Sequence, residues 1–389
     1  MDSLDQLYTL FPGTTKAQWI AQLEKDLKGS SWTSLRWNLE DELAIDPMYF
    51  PEDRPEWRGA IVNARPLGSW EMGEIFEVED PAASNALVRE AIRGGINSPG
   101  FLLLRKLTAD GLEALLNGID PETVALNFGE FYPDKDPKGL LRQFSDWLDR
   151  KGADKSKVRG SIDFDPFLDW TEPPFGDLAQ AIQFCAAELP HFKVLQINGR
   201  YYHAGASELT NELALMVAKG AEYLARMEEY GVPPTQTHHS LQFSVALSAS
   251  FFPEIAKLRA LRILWNNVLA AFGIAKPEPV EIVVHLAKET QDEQVHTNMI
   301  RAGAQAMSAI IGGADRLYVL PANAALKEAP TPFTRRIARN VHHLLRMESH
   351  LGRPVDPSAG SYYLEQLTDL LASKAWDKFQ EYVRRGEFS

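Results

Sequence analysis

Ten consecutive residues carry the densest reactive chemistry in the chain: Asn198-Gly199-Arg200-Tyr201-Tyr202-His203-Ala204-Gly205-Ala206-Ser207. A guanidinium, two phenols and an imidazole in four successive positions can bind an anion or move a proton. The small residues that follow allow close backbone approach, and Ser207 is a candidate N-cap for a helix. A structural loop accounts for the same residues equally well. A second group is scattered: Asn127, Ser161, Asp163, Gln196, Asn198, Gln242, Ser244 and His285 interrupt segments that otherwise read as β-strands. Left unpaired inside a protein, such groups cost about 1–3 kcal/mol each. Either a polar lumen that admits water or an extended ligand, or solvent at strand ends, must satisfy them.

Other signatures are missing. The sequence holds no Gly-rich loop ending in Lys-Ser/Thr, no His-Glu-x-x-His and no Gly-x-Ser-x-Gly. His238-His239 and His342-His343 are adjacent rather than four apart, so they read as surface or strand-end histidines and not as a helical metal pair. The single cysteine, Cys185, excludes an internal disulfide and reads as a small buried hydrophobe in an apolar helix.

The elements that must position these residues alternate. Strands are predicted at 101–107, 123–129, 158–165, 193–199, 240–247, 280–287 and 315–320, with a short eighth at 353–356. Helical patterns separate them at 110–117, 139–151, 177–189, 207–230, 254–272, 292–311 and 332–349, and a last helix covers 363–385. Such alternation requires parallel strands joined by crossover helices. Repeated eightfold over ~300 residues, it fits an α/β fold of the closed (β/α)8 TIM barrel type, whose function sits at the C-terminal ends of the strands. A doubly wound sheet would show a Gly-rich turn after its first strand, and none is present.

Residues 1–60 differ. A capped amphipathic helix is predicted at 15–27, followed by Trp32, Leu35, Trp37, Pro47-Met48-Tyr49-Phe50-Pro51 and Trp57. So many large apolar groups mark an extended arm lying on some surface, its own domain's or a partner's. The chain thus divides into an N-terminal arm, 1–60, and a barrel with its C-terminal helix, 61–389. Lys and Arg number 40 against 53 Asp and Glu, a net charge of −13, which repels a nucleic-acid backbone. No apolar run approaches the ~18 residues of a membrane span. Met1-Asp2-Ser3-Leu4-Asp5 lacks the basic start and apolar core of a secretory signal, so a cytoplasmic location is expected.

Several segments resemble the methylmalonyl-CoA mutase family. Asp356-Pro357-Ser358-Ala359-Gly360-Ser361-Tyr362-Tyr363-Leu364-Glu365-Gln366-Leu367-Thr368 is similar to its Asp-Pro-x-x-Gly-Ser-x-Tyr-Val-Glu-x-Leu-Thr. Arg336-Ile337-Ala338-Arg339-Asn340, Ala204-Gly205-Ala206, Ala256-Lys257-Leu258-Arg259-Ala260 and Pro47-Met48-Tyr49 match further motifs in the family's order. The resemblance implies a (β/α)8 barrel threaded by coenzyme A and radical isomerisation of an acyl-CoA with adenosylcobalamin. The corrinoid normally sits in a further domain bearing Asp-x-His-x-x-Gly. This chain reaches Ser389 without that motif, so no cobalamin-binding domain is expected within it.

Departures fall where the family's chemistry lies. Catalytic chains read Gly-Tyr-His-Met/Ile-x-Glu-Ala-Gly-Ala; here Arg200 occupies the place of the His and His203 that of the Glu. Val284-His285-Leu286-Ala287-Lys288 keeps a His and loses a Gln, Ser161-Ile162-Asp163 replaces Thr-Ile-Gln, and Glu74-Ile75-Phe76-Glu77 lies where a substrate-contacting Tyr is found. The resemblance therefore implies the small, non-catalytic subunit type of a heterodimeric methylmalonyl-CoA mutase, whose catalytic large subunit holds adenosylcobalamin, with no catalytic residue and no cofactor in this chain. Two alternatives stay open: a catalytic barrel served by a separate corrinoid protein, or a protein that binds CoA thioesters. In either, the candidate pocket is Asn127, Asp163, Asn198, Arg200, Tyr201, Tyr202, His203 and His285.

Overall fold

The computed structural model describes residues 13–40, 43–53, 61, 70–326 and 328–386. The barrel runs β1 (Glu71–Val78), α1 (Pro81–Arg93), β2 (Ser98–Leu103), α2 (Ala109–Leu116), β3 (Leu126–Glu130), α3 (Pro137–Lys151), β4 (Gly160–Ile162) and α4 (Phe175–Glu188). β5 follows in two pieces, Phe192–Lys193 and Leu195–Asn198, then α5 (Leu209–Glu229), β6 (Leu241–Leu247), α6 (Phe251–Ala271), β7 (Glu281–Leu286), α7 (Val295–Ile311), β8 (Arg316–Tyr318) and α8 (Pro332–His343). A last helix, α9 (Tyr362–Arg385), packs across α5 and α6.

Every strand pairing in this sheet is parallel. β8 pairs with β1, Arg316 opposite Glu71, and the two pieces of β5 bridge β4 to β6, so the sheet closes around the break at Val194. The expected barrel is present, with two corrections to its strands. Its first strand is Glu71–Val78, which makes the strand at 193–199 the fifth. Residues 353–356 form turns, not a strand.

Alternation along each strand sends one set of side chains outward and one into the lumen. The outward set is apolar: Phe76, Phe101, Phe128, Ile197, Phe243, Val245, Ile282, Val284 and Leu317 are all buried. They pack on helix faces that carry the fully buried Trp147 and Trp265. The predicted helix N-cap at Ser207 is not used: α5 starts at Leu209, after Glu208.

The described part of the arm lies on its own barrel. Its helix Lys16–Asp26 starts with a capping box between Thr15 and Gln18. A hairpin of Trp37–Glu40 with Leu43–Ile45 follows. Buried Glu40 accepts the Thr210 backbone N–H at 2.9 Å and also the Thr210 hydroxyl, at the start of α5. Tyr49 meets Tyr363 of α9 edge-on at 5.8 Å.

Candidate functional site

The polar inward-facing side chains form a hydrogen-bonded column. At its centre Arg316 of β8, 1% exposed, donates to Glu71 of β1 and to Glu281 of β7, each at 2.8 Å. Burial alone would weaken its hold on the proton, but the two carboxylates raise the Arg316 pKa overall. Around this pair the smaller groups satisfy one another. Ser98 donates to Glu71 at 2.9 Å, Asn127 to Ser98 at 2.9 Å, and Ser161 to Asn127 at 3.0 Å. Gln242 donates to Gln196 at 2.6 Å, Gln196 to Asn198 at 3.0 Å, and Asn198 to Asp163 at 2.8 Å. Most of the polar strand residues are thus paired with each other, which removes the cost of burying them.

Two positions above Arg316 on the same strand, Tyr318 fills the next layer. It lies over Gly73 and Gly100, where an added Cβ would come within 2.5 Å and 3.1 Å of its ring and hydroxyl. His285 stacks on it, with centroids 4.8 Å apart. Burial pushes the Tyr318 phenol up to about 12. His285 is held well below the ordinary imidazole range by burial and by the nearby Arg200 and Arg316 cations.

Among the described residues the column borders a cavity of about 80 Å³ at the C-terminal mouth and a basin of about 970 Å³ at the N-terminal end. Arg316 alone lines both, so its side chain is the partition between them. Of the residues singled out from sequence, Asn127, Asp163, Arg200 and His285 line the mouth cavity, and Asn198 joins them through hydrogen bonds to Asp163 and, at 3.2 Å, from Arg200. Burial pushes the Asp163 carboxyl up to about 6, against the opposing pull of Arg200 and the Asn198 amide.

The other three candidates lie elsewhere. Tyr201 points outward, 63% exposed. Tyr202 packs under the Lys219 ammonium, 5.7 Å from its ring centroid, and burial raises its pKa to about 12. The His203 ring lies 3.1 Å from buried Glu212 and 3.2 Å from Glu289. Glu212 also meets the buried Lys257 at 3.2 Å, and Lys257 meets Glu254 at 2.7 Å. This arrangement ties the segments that follow β5 and β7 to α5 and α6, with the His203 side chain buried between them.

The histidine pairs also need correction. His238 and His342 are buried, 4% and 1% exposed. Each accepts a tryptophan indole N–H on Nδ1, from Trp265 and Trp70 respectively, at 3.2 Å. Burial lowers them to about 4 and about 3.

The signature segment proves to be a clamp. Arg259 of α6, 1% exposed, pairs with Asp356, with Glu365 at 3.0 Å and with the Thr368 hydroxyl at 3.4 Å. Two stretches of family-like sequence therefore meet at one guanidinium, fastening α9 to the barrel. Missed in sequence were Arg316, Tyr318, Glu71 and Glu281. The available signal was a cation two residues before a tyrosine inside a predicted strand, since alternate residues share a face.

The corrinoid implied by the resemblance does not fit the residues present. The histidines nearest the mouth are engaged by carboxylates or stacked on Tyr318, and 80 Å³ is far below the ~300–1,000 Å³ of ordinary cofactor pockets.

The methylmalonyl-CoA mutase family model matches residues 108–388. The methylmalonyl-CoA mutase small subunit of Porphyromonas gingivalis is 30% identical over 99% of this chain and 65% of its own length. That of Streptomyces virginiae is 31% identical over 96% and 64%. A methylmalonyl-CoA mutase of Cereibacter sphaeroides is 28% identical over 95% and 58%. The chain thus spans just under two thirds of the small subunits it matches. With the family's pattern carried across nearly all of this barrel, the chain belongs to the methylmalonyl-CoA mutase family.

Proposed function

We propose that this chain is the non-catalytic small subunit of a heterodimeric, adenosylcobalamin-dependent methylmalonyl-CoA mutase, pairing in the cytoplasm with a catalytic large chain that carries the cofactor and the isomerisation. The observation that carries this reading is the filled barrel axis. Arg316 and Tyr318, alternate residues of one strand, occupy the space a threaded acyl-CoA would need, and paired carboxylates hold the first in place. The positions of the family's acid and base support it as well. Arg200 bonds to Asn198, and His203 is wedged between Glu212 and Glu289, so neither presents a mobile proton to a substrate.

The arm, residues 1–60, is the subunit-contacting part, and residues 61–389 are the barrel it borders. Leu35, Trp37 and Phe252 are 43%, 46% and 48% exposed around a groove of about 420 Å³ between the arm and α6, an apolar surface suited to a protein partner. The test is reconstitution. With adenosylcobalamin and methylmalonyl-CoA the chain alone forms no succinyl-CoA, and with the large chain it forms a one-to-one complex of higher thermal midpoint than either part. Turnover by the isolated chain, or failure to pair, overturns the reading.

A further inference from the structure

We infer that the outer face of α8, with the π turn Leu344–Glu348 that continues it, docks an acidic, apolar-faced helix of the large mutase chain. The inference rests on the subunit reading and adds a contact distinct from the groove beside the arm. Periodicity comes first. Phe333, Ile337, Asn340, Leu344 and Met347 recur at steps of four and three, so they share one side of the helix. Thr334, Ala338, Val341, His342 and Leu345, around the rest of the helix, are buried against the barrel. Yet Phe333, Leu344 and Met347 are 47%, 49% and 67% exposed. The stripe from 333 to 347 is about 21 Å long, four turns of a partner helix.

Charge selects the occupant. The arginines of α8 that face the barrel are neutralised, Arg335 by Glu74 and Arg339 by Glu74 and Glu90. Arg336 is not: its guanidinium lies over the Phe333 ring, 5.9 Å from the centroid, with no carboxylate partner among the described residues. Arg353, exposed beyond the π turn, has none either. From 332 to 348 the only acid is Glu348, at the far end. On a chain of net charge −13 this face is a local reversal of sign.

A second copy docked through the same face would set these cations against their own kind. An anionic bilayer would attract them but repel the rest of an acidic molecule. A partner helix with apolar residues at the same spacing and Asp or Glu beside them matches both the stripe and the arginines. Asn340, exposed in the middle of the stripe, would fix the register through a polar residue opposite it.

The test uses the whole chain and measures its affinity for the purified large chain. Leu344→Glu with Met347→Glu should weaken the complex at least about thirtyfold, and Met347→Glu alone, at the most exposed position, about tenfold. The thermal midpoint of each isolated variant should stay that of the wild type. Arg336→Glu should slow association and flatten its dependence on salt. Tyr230→Glu, an equally exposed position at the end of α5, should change nothing. A wild-type chain that does not pair overturns the subunit reading and this inference together. Pairing that survives the α8 variants, or that Tyr230→Glu weakens as much, overturns this inference alone. So does a self-dimer that Met347→Glu dissolves, or binding to vesicles of equal phosphatidylcholine and phosphatidylserine that Met347→Glu abolishes, because a second copy or a lipid surface would then be the occupant.

Discussion

Arg316 decides most about this molecule at the residue scale, and its energetics are asymmetric. Removing one partner of a buried ionic group costs about 3–5 kcal/mol, because a charge is left behind, whereas replacing the whole group with apolar residues of similar size is often neutral. Arg316→Met should therefore lower the unfolding free energy by about that amount in urea titrations, and the triple change with Glu71→Gln and Glu281→Gln should recover most of it. Equal stability of the single and triple variants would show that the three residues are not coupled. His238 and His342 govern acid behaviour. Between pH 6.5 and about 4 the unfolded chain protonates both imidazoles while the folded chain, at about 4 and about 3, does not, so stability falls as pH drops through this window. Asp163 acts oppositely. Raised from 3.8 to about 6, it holds a proton in the folded chain that the unfolded chain releases, and its contribution is lost as pH rises through 6. Asp163→Asn, which still accepts from Asn198, should raise the midpoint at pH 7.5 relative to pH 5, read by calorimetry at both values; no change in that difference would remove Asp163 from the account.

Elements are held by a few cross-ties, and these explain what could be read in advance. The strand-helix alternation of β2 to β8 was legible because outward apolar residues keep their period. β1 was not, since its first two inward positions are Glu71 and Gly73, acceptable in a strand because Arg316 and Tyr318 stand opposite them. Residues 353–356 read as a strand from Val355 and the need for an eighth element. Their proline cannot donate to a ladder, and Asp356 instead accepts from the backbone of Ile61 and Ser358 while pairing with Arg259. The signature could be recognised but not interpreted from sequence, because Asp356, Glu365 and Thr368 acquire a common purpose only when α6 supplies Arg259. Arg259→Ala should free α9 before the barrel melts, with amide exchange over 362–385 accelerating and global stability falling by about 3–5 kcal/mol. Uniform exchange across the chain would mean that α9 is not a separate unit. The arm hangs on a similar tie: Thr210→Val removes one of two bonds to Glu40 and should expose residues 37–45 to limited proteolysis at unchanged barrel stability.

For the whole molecule the question is whether the axis is a passage or a core. Sequence supplied the polar strands but not this answer, because lumen width depends on register and on which alternate residues are large. Several wall residues are small, with Gly73, Gly100, Ser98 and Ser161 among them, and β8 supplies the two largest groups in the bore, with His285 of β7 stacked on the second. A ligand with a long flexible arm needs a pocket of about 300–1,000 Å³, and the mouth leaves about 80 Å³ above a guanidinium anchored by two carboxylates. Threading would have to break the pairing of that guanidinium with both acids, although Glu71 keeps Arg159 at 3.1 Å, and no contact with a neutral amide chain offsets that loss. Coenzyme A and methylmalonyl-CoA at about 1 mM, a generous excess over ordinary substrate affinities, should therefore leave the hydrogen exchange of β5 to β8 unchanged in the isolated chain. Protection of Gln196, Gln242 and Val283 amides by the thioester would mean that Arg316 swings aside. The barrel would then be a gated passage, and its filled axis would no longer separate it from the catalytic members of its family.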